Sequence, residues 1–218
     1  MRWRGLVLIV IGCLVWSLPL PVLSAEPLVV ADFSADLNSW DAKVFKAGNH
    51  YEIQTNADGN RVLHVLSHNS ATGLIRKIEF DLHQYPVLSW RWKITHTLEK
   101  GDAHQKAGDD YAARIYVIFP HWIKPLTRTI NYIWANRLPV NEAIPNRYFS
   151  RAMMLAVESG DTKAGQWVTE QRNLLDDYRR LFGEEPSLAG GIAIMTDTDN
   201  TGESAEAWYD DIVLHPAD

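Results

Sequence analysis

The stretch of sequence that decides the fold is Gly108-Asp109-Asp110-Tyr111-Ala112-Ala113-Arg114-Ile115-Tyr116-Val117-Ile118-Phe119. Apolar side chains recur here at every second position, which is the period of one face of a β-strand: Ala113, Ile115, Val117 and Phe119. Arg114 and Tyr116 fall on the opposite face, and two carboxylates, Asp109 and Asp110, come just before them. The stretch therefore predicts a core strand with a polar cluster that either binds a ligand or satisfies its own charges.

The start of the chain has the features of an export signal. A basic start with Arg2 and Arg4 precedes an apolar run, and Ser24-Ala25 provides small residues for cleavage. We expect residues 1–25 to be a signal peptide and the mature protein to be periplasmic or secreted. A lipoprotein signal ending at Cys13 is the alternative, but much of the apolar run follows that cysteine. Prolines within the run argue against a stable membrane anchor after cleavage.

Composition excludes some functional classes. The chain has a formal net charge of −6, so it lacks the basic surface that nucleic-acid binding requires. Its one cysteine, Cys13, lies in the predicted signal, so the mature protein has no disulfide and no cysteine-bound metal. Residues 26–218 are long enough to bury one large core, and we expect a single domain there.

The pattern of short apolar stretches separated by turn residues predicts the fold class. Roughly ten short strands follow one another, with a single helical segment from Leu174 to Phe182. Asn173 can cap this helix, and Gly183 can end it. We predict a mainly β protein, an antiparallel β-sandwich of jelly-roll type, with one short helix docked on it.

Two acidic segments are candidates for metal binding or for structural ion pairs. The loop with Asp197, Asp199 and Gly202 has the oxygen spacing of the front half of a calcium loop, but Trp208 occupies the position of the bidentate Glu. A hairpin that hydrogen-bonds its own backbone explains the loop equally well. Farther on, an acidic pair, Asp210-Asp211, lies inside a predicted strand, so one carboxylate points inward and needs a partner such as Arg91 or Arg114.

Five ordered motifs stand out in the chain: Trp90-Arg91-Trp92-Lys93, residues 108–114, Asn131-Tyr132-Ile133-Trp134-Ala135, Arg172-Asn173-Leu174 with Asp177-Tyr178, and residues 196–202. Together they resemble the bacterial exported family known as domain of unknown function 3047. That family implies no established activity.

The two ends of the chain are also similar to galactose-binding-like jelly rolls and carbohydrate-binding modules, through Asp32-Phe33, Trp40 and Tyr209-Asp210-Asp211-Ile212. In many of those a calcium ion ties the first strand to the last. This resemblance implies a structural Ca²⁺ held by Asp32 and Asp211.

We expect an exported, non-catalytic module that recognises a carbohydrate or another hydroxylated envelope molecule. Planar charged groups beside aromatic rings suit sugars, which present hydroxyl groups and apolar ring faces. The residues predicted to build this polar face and its rim are Arg91, Asp109, Asp110, Arg114, Tyr116, Asp197 and Asp199. Trp122 or Trp134 is the candidate stacking surface.

Two other classes of function remain open at this point. A glycan hydrolase or lyase would use paired carboxylates, Asp109 or Asp110 with Arg114, although the chain has no Gly-x-Ser-x-Gly elbow and no phosphate loop. A structural component of an envelope assembly would instead present an exposed apolar patch.

Overall fold

A computed structural model describes residues 25–56 and 58–217. The predicted signal peptide lies outside the described residues up to position 24. Strands account for most of the regular structure: β1 Leu28–Ala31, β2 Asp41–Lys46, β3 His50–Thr55, β4 Arg61–His68, β5 Ala71–Phe80, β6 Val87–Ile94, β7 Arg114–Phe119, β8 Arg128–Ala135, β9 Ala143–Pro145, β10 Ala152–Ser159, β11 Val168–Asn173, β12 Ala189–Asp197 and β13 Ser204–His215. The helix α1 spans Leu174–Phe182.

The strands form two sheets. The six-stranded sheet has the order β11-β6-β13-β4-β3, with β1 added beside β13, and the seven-stranded sheet has the order β2-β5-β12-β7-β8-β10-β9. The predicted mainly β sandwich with one helix is confirmed.

One pair departs from the antiparallel arrangement, because β8 and β10 pair in parallel. The connection between them, residues 136–151, carries the chain back along the sheet, and β9 within it pairs antiparallel to β10. This long connection allows two successive long strands to run in the same direction.

The main core lies between the sheets. Alternate residues from Ala113, which directly precedes β7, to Phe119 at its end are buried, as the sequence predicts: Ala113, Ile115, Val117 and Phe119. Trp90 and Trp92 of β6 are fully buried and pack on Tyr132 and Trp134 of β8, with ring centroids 5.2 and 5.8 Å apart. Through this aromatic contact the two sheets pack against each other. The alternate side chains of β7 and β8 therefore lie on the opposite, outer face of the seven-stranded sheet.

The helix α1 has the predicted bounds, and the predicted cap and terminating glycine are present at its two ends. The Asn173 side chain accepts a hydrogen bond from the Asp176 amide at 3.0 Å, and Gly183 ends the helix in the left-handed conformation at φ 69°. Tyr178 is buried, and its ring centroid lies 4.6 Å from that of Phe119. Among the described helices, none has the length and apolar character that a membrane crossing needs.

Candidate ligand-binding site

An open cleft of about 480 Å³ lies on the outer face of the seven-stranded sheet. We call it the outer-face cleft. Its lining comes from almost every strand of this sheet and from the loops at one end: Phe45, Ala71, Asp109, Arg114, Tyr116, Thr129, Asn131, Asn146, Tyr148, Phe149, Ala152, Met195, Asp197, Asp199 and Asn200.

The floor of the cleft follows from strand alternation. Arg114 and Tyr116 lie on β7 between residues that point into the core, so their side chains occupy the outer face. Asn131 of β8 pairs with Tyr116, and Met195 of β12 pairs with Arg114, which places these four side chains next to one another across three strands. Small residues at the margins, such as Ala71 and Ala152, leave the floor low enough to form a depression.

Aromatic side chains form the walls at opposite edges of the sheet. Phe45 comes from the edge strand β2, where the pairing with β5 shifts between Val44 and Lys46. Such a bulge re-aims a side chain. Tyr148 and Phe149 come from the connection between β9 and β10. Phe45 and Tyr148 are 59% and 58% exposed, so each offers a large ring face beside the floor.

One end of the cleft is built by the loop between β12 and β13, which Asp110 holds in place. Asp110 is fully buried, and its carboxylate accepts hydrogen bonds from the amides of Asn200 and Thr201 at 2.9 and 2.6 Å. It also accepts one from the Asn200 side chain at 3.0 Å. These three bonds fix the turn that presents Asp199 and Asn200 to the cleft, so Asp110 positions the site from behind its surface.

Arg114 and Asp197 form a buried ion pair at the centre of the floor. Asp197 also accepts a hydrogen bond from the Tyr111 amide at 3.2 Å, and the guanidinium of Arg114 lies over the rings of Tyr111 and Tyr116 at 5.2 and 5.3 Å. The Nε atom of Arg114 is buried and has no hydrogen-bond partner within the described residues. The charges of Arg114 and Asp197 therefore compensate each other, but the Nε–H group of Arg114 remains free to donate a hydrogen bond.

Asn131 is a second floor residue with unused capacity. It is only 2% exposed, and its Oδ1 atom has no partner among the described residues. Its amide nitrogen contacts the Met154 sulfur at 3.1 Å, and the Tyr116 hydroxyl likewise contacts the Met195 sulfur at 3.3 Å. A thioether sulfur is a weak acceptor, so the floor holds several polar groups whose hydrogen-bonding capacity the protein itself hardly uses.

Asp109 lies where the floor meets the end of the cleft. It is buried, and its oxygens accept hydrogen bonds from the Tyr111 hydroxyl at 3.2 Å and from the Asn146 side chain at 2.6 Å. Burial raises the pKa of Asp109 above its usual value, while the charge of Arg114 acts in the opposite direction. Burial also raises the pKa of Asp199, and the nearby charge of Asp110 adds to this effect.

Of the residues predicted from the sequence, the cleft gathers Asp109, Arg114, Tyr116, Asp197 and Asp199 as lining, with Asp110 directly behind them. The other predicted residues lie elsewhere in the fold.

Trp134 cannot be the stacking surface, because it is fully buried against Trp92 and donates to the Gly160 carbonyl at 3.0 Å. Trp122 is 87% exposed in the loop after β7 and is not part of the cleft lining.

Arg91 belongs to the six-stranded sheet, so its assignment to the same polar face was wrong. It pairs with the buried Asp210 and, at 2.9 Å, with Asp211. Beside it, Trp167 lies 4.8 Å from the Arg91 guanidinium, and the Lys93 ammonium lies 3.8 Å from the centre of the Trp208 ring. The ion pair of Arg91 with the buried Asp210 therefore lies in a cluster of charged and aromatic side chains on the six-stranded sheet.

Carboxylates able to share a metal ion meet at one place in the part of the chain that the structure describes. Asp110, Asp197 and Asp199 each offer an oxygen within 4.8 Å of the others. Asp110 already accepts three hydrogen bonds and Asp197 pairs with Arg114, so both have protein partners. Asp32 and Asp211 are not members of this group.

Sequence reasoning missed much of the cleft, including its aromatic walls and its amides: Phe45, Asn131, Asn146, Tyr148, Phe149 and Asn200. Asn131 carried a usable signal, since it is a polar residue within an apolar strand, Ile130 to Ala135. Phe45 and Tyr148 gave none, because single exposed aromatics in an edge strand or a loop are common.

The sequence of the chain matches the family model described as Protein of unknown function (DUF3047) over residues 38–213. The chain therefore belongs to this family. The comparison with curated proteins gives no match.

Three of the solved structures to which this chain is similar are carbohydrate-binding modules or contain one. The family 11 carbohydrate-binding module from Clostridium thermocellum, in complex with a β-1,3-1,4-mixed-linked tetrasaccharide, is 12% identical over 88% of this chain and 96% of its own, with a TM-score of 0.47. The family 30 module of cellulosomal cellulase Cel9D-Cel44B from C. thermocellum is 14% identical over 90% and 96%, with a TM-score of 0.43. The CBM22-1–GH10 modules of C. thermocellum xylanase 10B, complexed with xylohexaose, are 13% identical over 88% and 28%, with a TM-score of 0.45. Likeness at this level does not extend to the ligand.

Proposed function

We propose that this protein is a non-catalytic carbohydrate-binding β-sandwich and that the outer-face cleft is its ligand site. The observation that carries the proposal is the cleft floor, where buried polar atoms, Arg114 Nε and Asn131 Oδ1, have no partner within the described residues. Buried polar groups are normally hydrogen-bonded, and unpaired ones indicate a missing partner.

A sugar supplies what such a floor lacks. Each hydroxyl both donates and accepts, so one ring can satisfy the Arg114 donor and the Asn131 acceptor together. The apolar faces of sugar rings pack on aromatic side chains, which Phe45 and Tyr148 offer at the two edges of the cleft. The open cleft admits an extended chain, and this supports an oligosaccharide as the ligand.

The partners of the cleft carboxylates support binding rather than catalysis. Asp197 pairs with Arg114, and Asp109 is held by Tyr111 and Asn146. A general acid or a nucleophile must instead be free to reach the bond that breaks. Release of reducing ends from a bound glycan would favour the alternative of a hydrolase.

The proposed place of action is outside the cytoplasm, in the periplasm or beyond the cell. The basic, apolar and small-residue segments of positions 1–25 support export. This position suits a protein that binds a glycan of the cell envelope.

The calcium ion at Asp32 and Asp211 stays a prediction with a direct test. Asp32 accepts hydrogen bonds from the amide and hydroxyl of Ser34, and Asp211 pairs with Arg91, so an ion there would compete with Arg91. A higher melting temperature in about millimolar calcium would support a structural ion, since a ligand selective for the folded state stabilises it. An unchanged melting temperature rejects it.

A glycan array followed by calorimetry tests the proposed function. In the variant Asn131→Leu, which keeps the side-chain size but removes the unpaired acceptor, we expect unchanged or higher stability and at least a roughly tenfold loss of affinity. The matched control Trp122→Ala removes an exposed aromatic outside the cleft and is expected to keep full affinity. Absence of binding to every glycan, or full affinity in Asn131→Leu, contradicts the proposal.

A further inference from the structure

The charges in the outer-face cleft do not balance. Asp109, Asp197 and Asp199 are the carboxylates among its described lining residues, and Arg114 is the one cation. Arg114 is paired with Asp197, which leaves Asp109 and Asp199 without a cation in the cleft. Asp110, directly behind, adds a further buried carboxylate.

The nearby lysines lie outside the cleft lining, although the charge of Lys46 opposes the rise in the pKa of Asp199. The Lys46 ammonium donates to the main-chain carbonyl of Asp199 and to the Asn69 side chain, both at 2.9 Å, and not to a carboxylate. Lys43 and Lys106 lie over the aromatic walls, 4.8 Å from the Phe45 ring and 5.3 Å from the Tyr148 ring. They are therefore held at the rim of the cleft.

Among the described residues, the hydrogen-bond donors to the Asp109 carboxylate are neutral. Its partners are the Tyr111 hydroxyl and the Asn146 amide, and the charged groups that act on it are Arg114, already paired, and Asp110. A buried carboxylate without its own cation is costly. A ligand cation beside Asp109 would remove that cost.

The unpaired acceptor on the floor fits the same kind of ligand. Asn131 Oδ1 is buried and has no donor among the described residues. An ammonium group carries three donors and no acceptor, so it can satisfy a carboxylate and an amide oxygen together. Hydroxyl groups on the same ring remain available for the unused Nε donor of Arg114.

We propose that the outer-face cleft prefers glycans that carry free amino groups, as in glucosamine oligomers, over their N-acetylated counterparts, and that it rejects uronic acids. This rests on the proposed function. N-acetylation removes the positive charge of the ligand, and a uronic acid brings a further carboxylate to a cleft that already holds an excess of them.

Calorimetry at about pH 6, where a free amine is protonated, tests this with three β-1,4- or α-1,4-linked oligomers of equal length. They are oligomers of glucosamine, N-acetylglucosamine and galacturonic acid. We expect the glucosamine oligomer to bind at least roughly tenfold more tightly than the N-acetylated one, and the galacturonate not to bind. Equal or tighter binding of the N-acetylated or acidic oligomer overturns the inference but leaves the proposed function standing. If these oligomers and the whole glycan array fail to bind, the proposed function itself fails.

Variants that change the net charge equally test which carboxylate causes the preference for the glucosamine oligomer. Asp109→Asn keeps the size and polarity of the side chain, and we expect it to lower affinity for the glucosamine oligomer roughly tenfold and to reduce the preference for that oligomer over the N-acetylated one. Asp176→Asn, an exposed acid on α1 outside the cleft lining, changes the net charge equally and should have no effect. Asp199→Asn provides the same test if Asp109→Asn does not fold. Full affinity for the glucosamine oligomer in folded variants at both positions contradicts the inference.

Discussion

Arg114 and Asp197 show at the residue scale why the cleft floor is both structural and available to a ligand. Each is almost fully buried, and they neutralise each other. Taking one partner away leaves a buried charge without compensation, which costs far more than the net contribution of an intact pair.

We therefore expect Arg114→Met to lower the free energy of unfolding by about 3–5 kcal/mol, measured by urea denaturation. The double variant Arg114→Met/Asp197→Asn removes the stranded charge but keeps an acceptor for the Tyr111 amide, so it should be more stable than the single variant. A single variant that costs under about 1 kcal/mol would show that the pair is solvated rather than buried.

Glu170 gives a pH-dependent prediction at the same scale. Burial, assisted by the charge of Glu158, raises the pKa of Glu170 from its usual 4.5 to about 7 in the folded protein. The folded state then holds a proton that the unfolded state loses between these values, so stability falls as the pH rises through this window.

Near about pH 4, Glu170→Gln should leave the melting temperature unchanged. Above about pH 7.5 it should raise the melting temperature by about 2–4 °C, a value that allows for the partial exposure of Glu170. Thermal melts across this pH range measure the difference. Glu79→Gln, an exposed acid on β5, is the control and should show no pH-dependent gain. A gain that is constant with pH would contradict the assigned cause.

At the scale of elements, the cleft depends on a loop held from another part of the chain. Asp110 accepts three hydrogen bonds from Asn200 and Thr201, so the turn between β12 and β13 is set by a residue that precedes β7. The resulting arrangement presents Asp199 and Asn200 to the cleft.

Asp110→Ala should cost about 3 kcal/mol and speed hydrogen exchange at the Asn200 and Thr201 amides, because two main-chain donors lose a charged acceptor. Glycan affinity should fall as well, although Asp110 does not line the cleft. Asp176→Ala serves as the control. Unchanged exchange at these two amides would mean that the loop is held by other contacts.

The elements themselves were largely predictable from the sequence, because local pattern and packing agree in them. The cap of α1 by Asn173, its end at Gly183 and the buried face of β7 all follow from neighbouring residues. The parallel pairing of β8 and β10 was not predictable, since it depends on the path of residues 136–151. Burial of Leu98 and Ala103 was not predictable either, because they lie in a segment of mostly polar and small residues.

At the scale of the whole molecule, the sandwich decides which polar residues can act together. Alternation predicts that Arg114 and Tyr116 share a face, but it does not say which sheet Arg91 joins, and the fold places Arg91 in the other one. The aromatic walls come from an edge strand and from a long connection, whose positions depend on tertiary structure. The charged residues of the cleft could therefore be predicted from the sequence, whereas its aromatic walls could not.

The central claim is that a glycan binds on the outer face of the seven-stranded sheet. Its most direct test is a map of amide chemical-shift changes during titration of the isotopically labelled protein with an oligosaccharide chosen from the array. We predict that the changes concentrate on the residues of the cleft, with Arg114, Tyr116, Asn131 and Met195 among the most affected. Changes concentrated instead around Lys93, Trp167 and Trp208 on the six-stranded sheet would contradict the account.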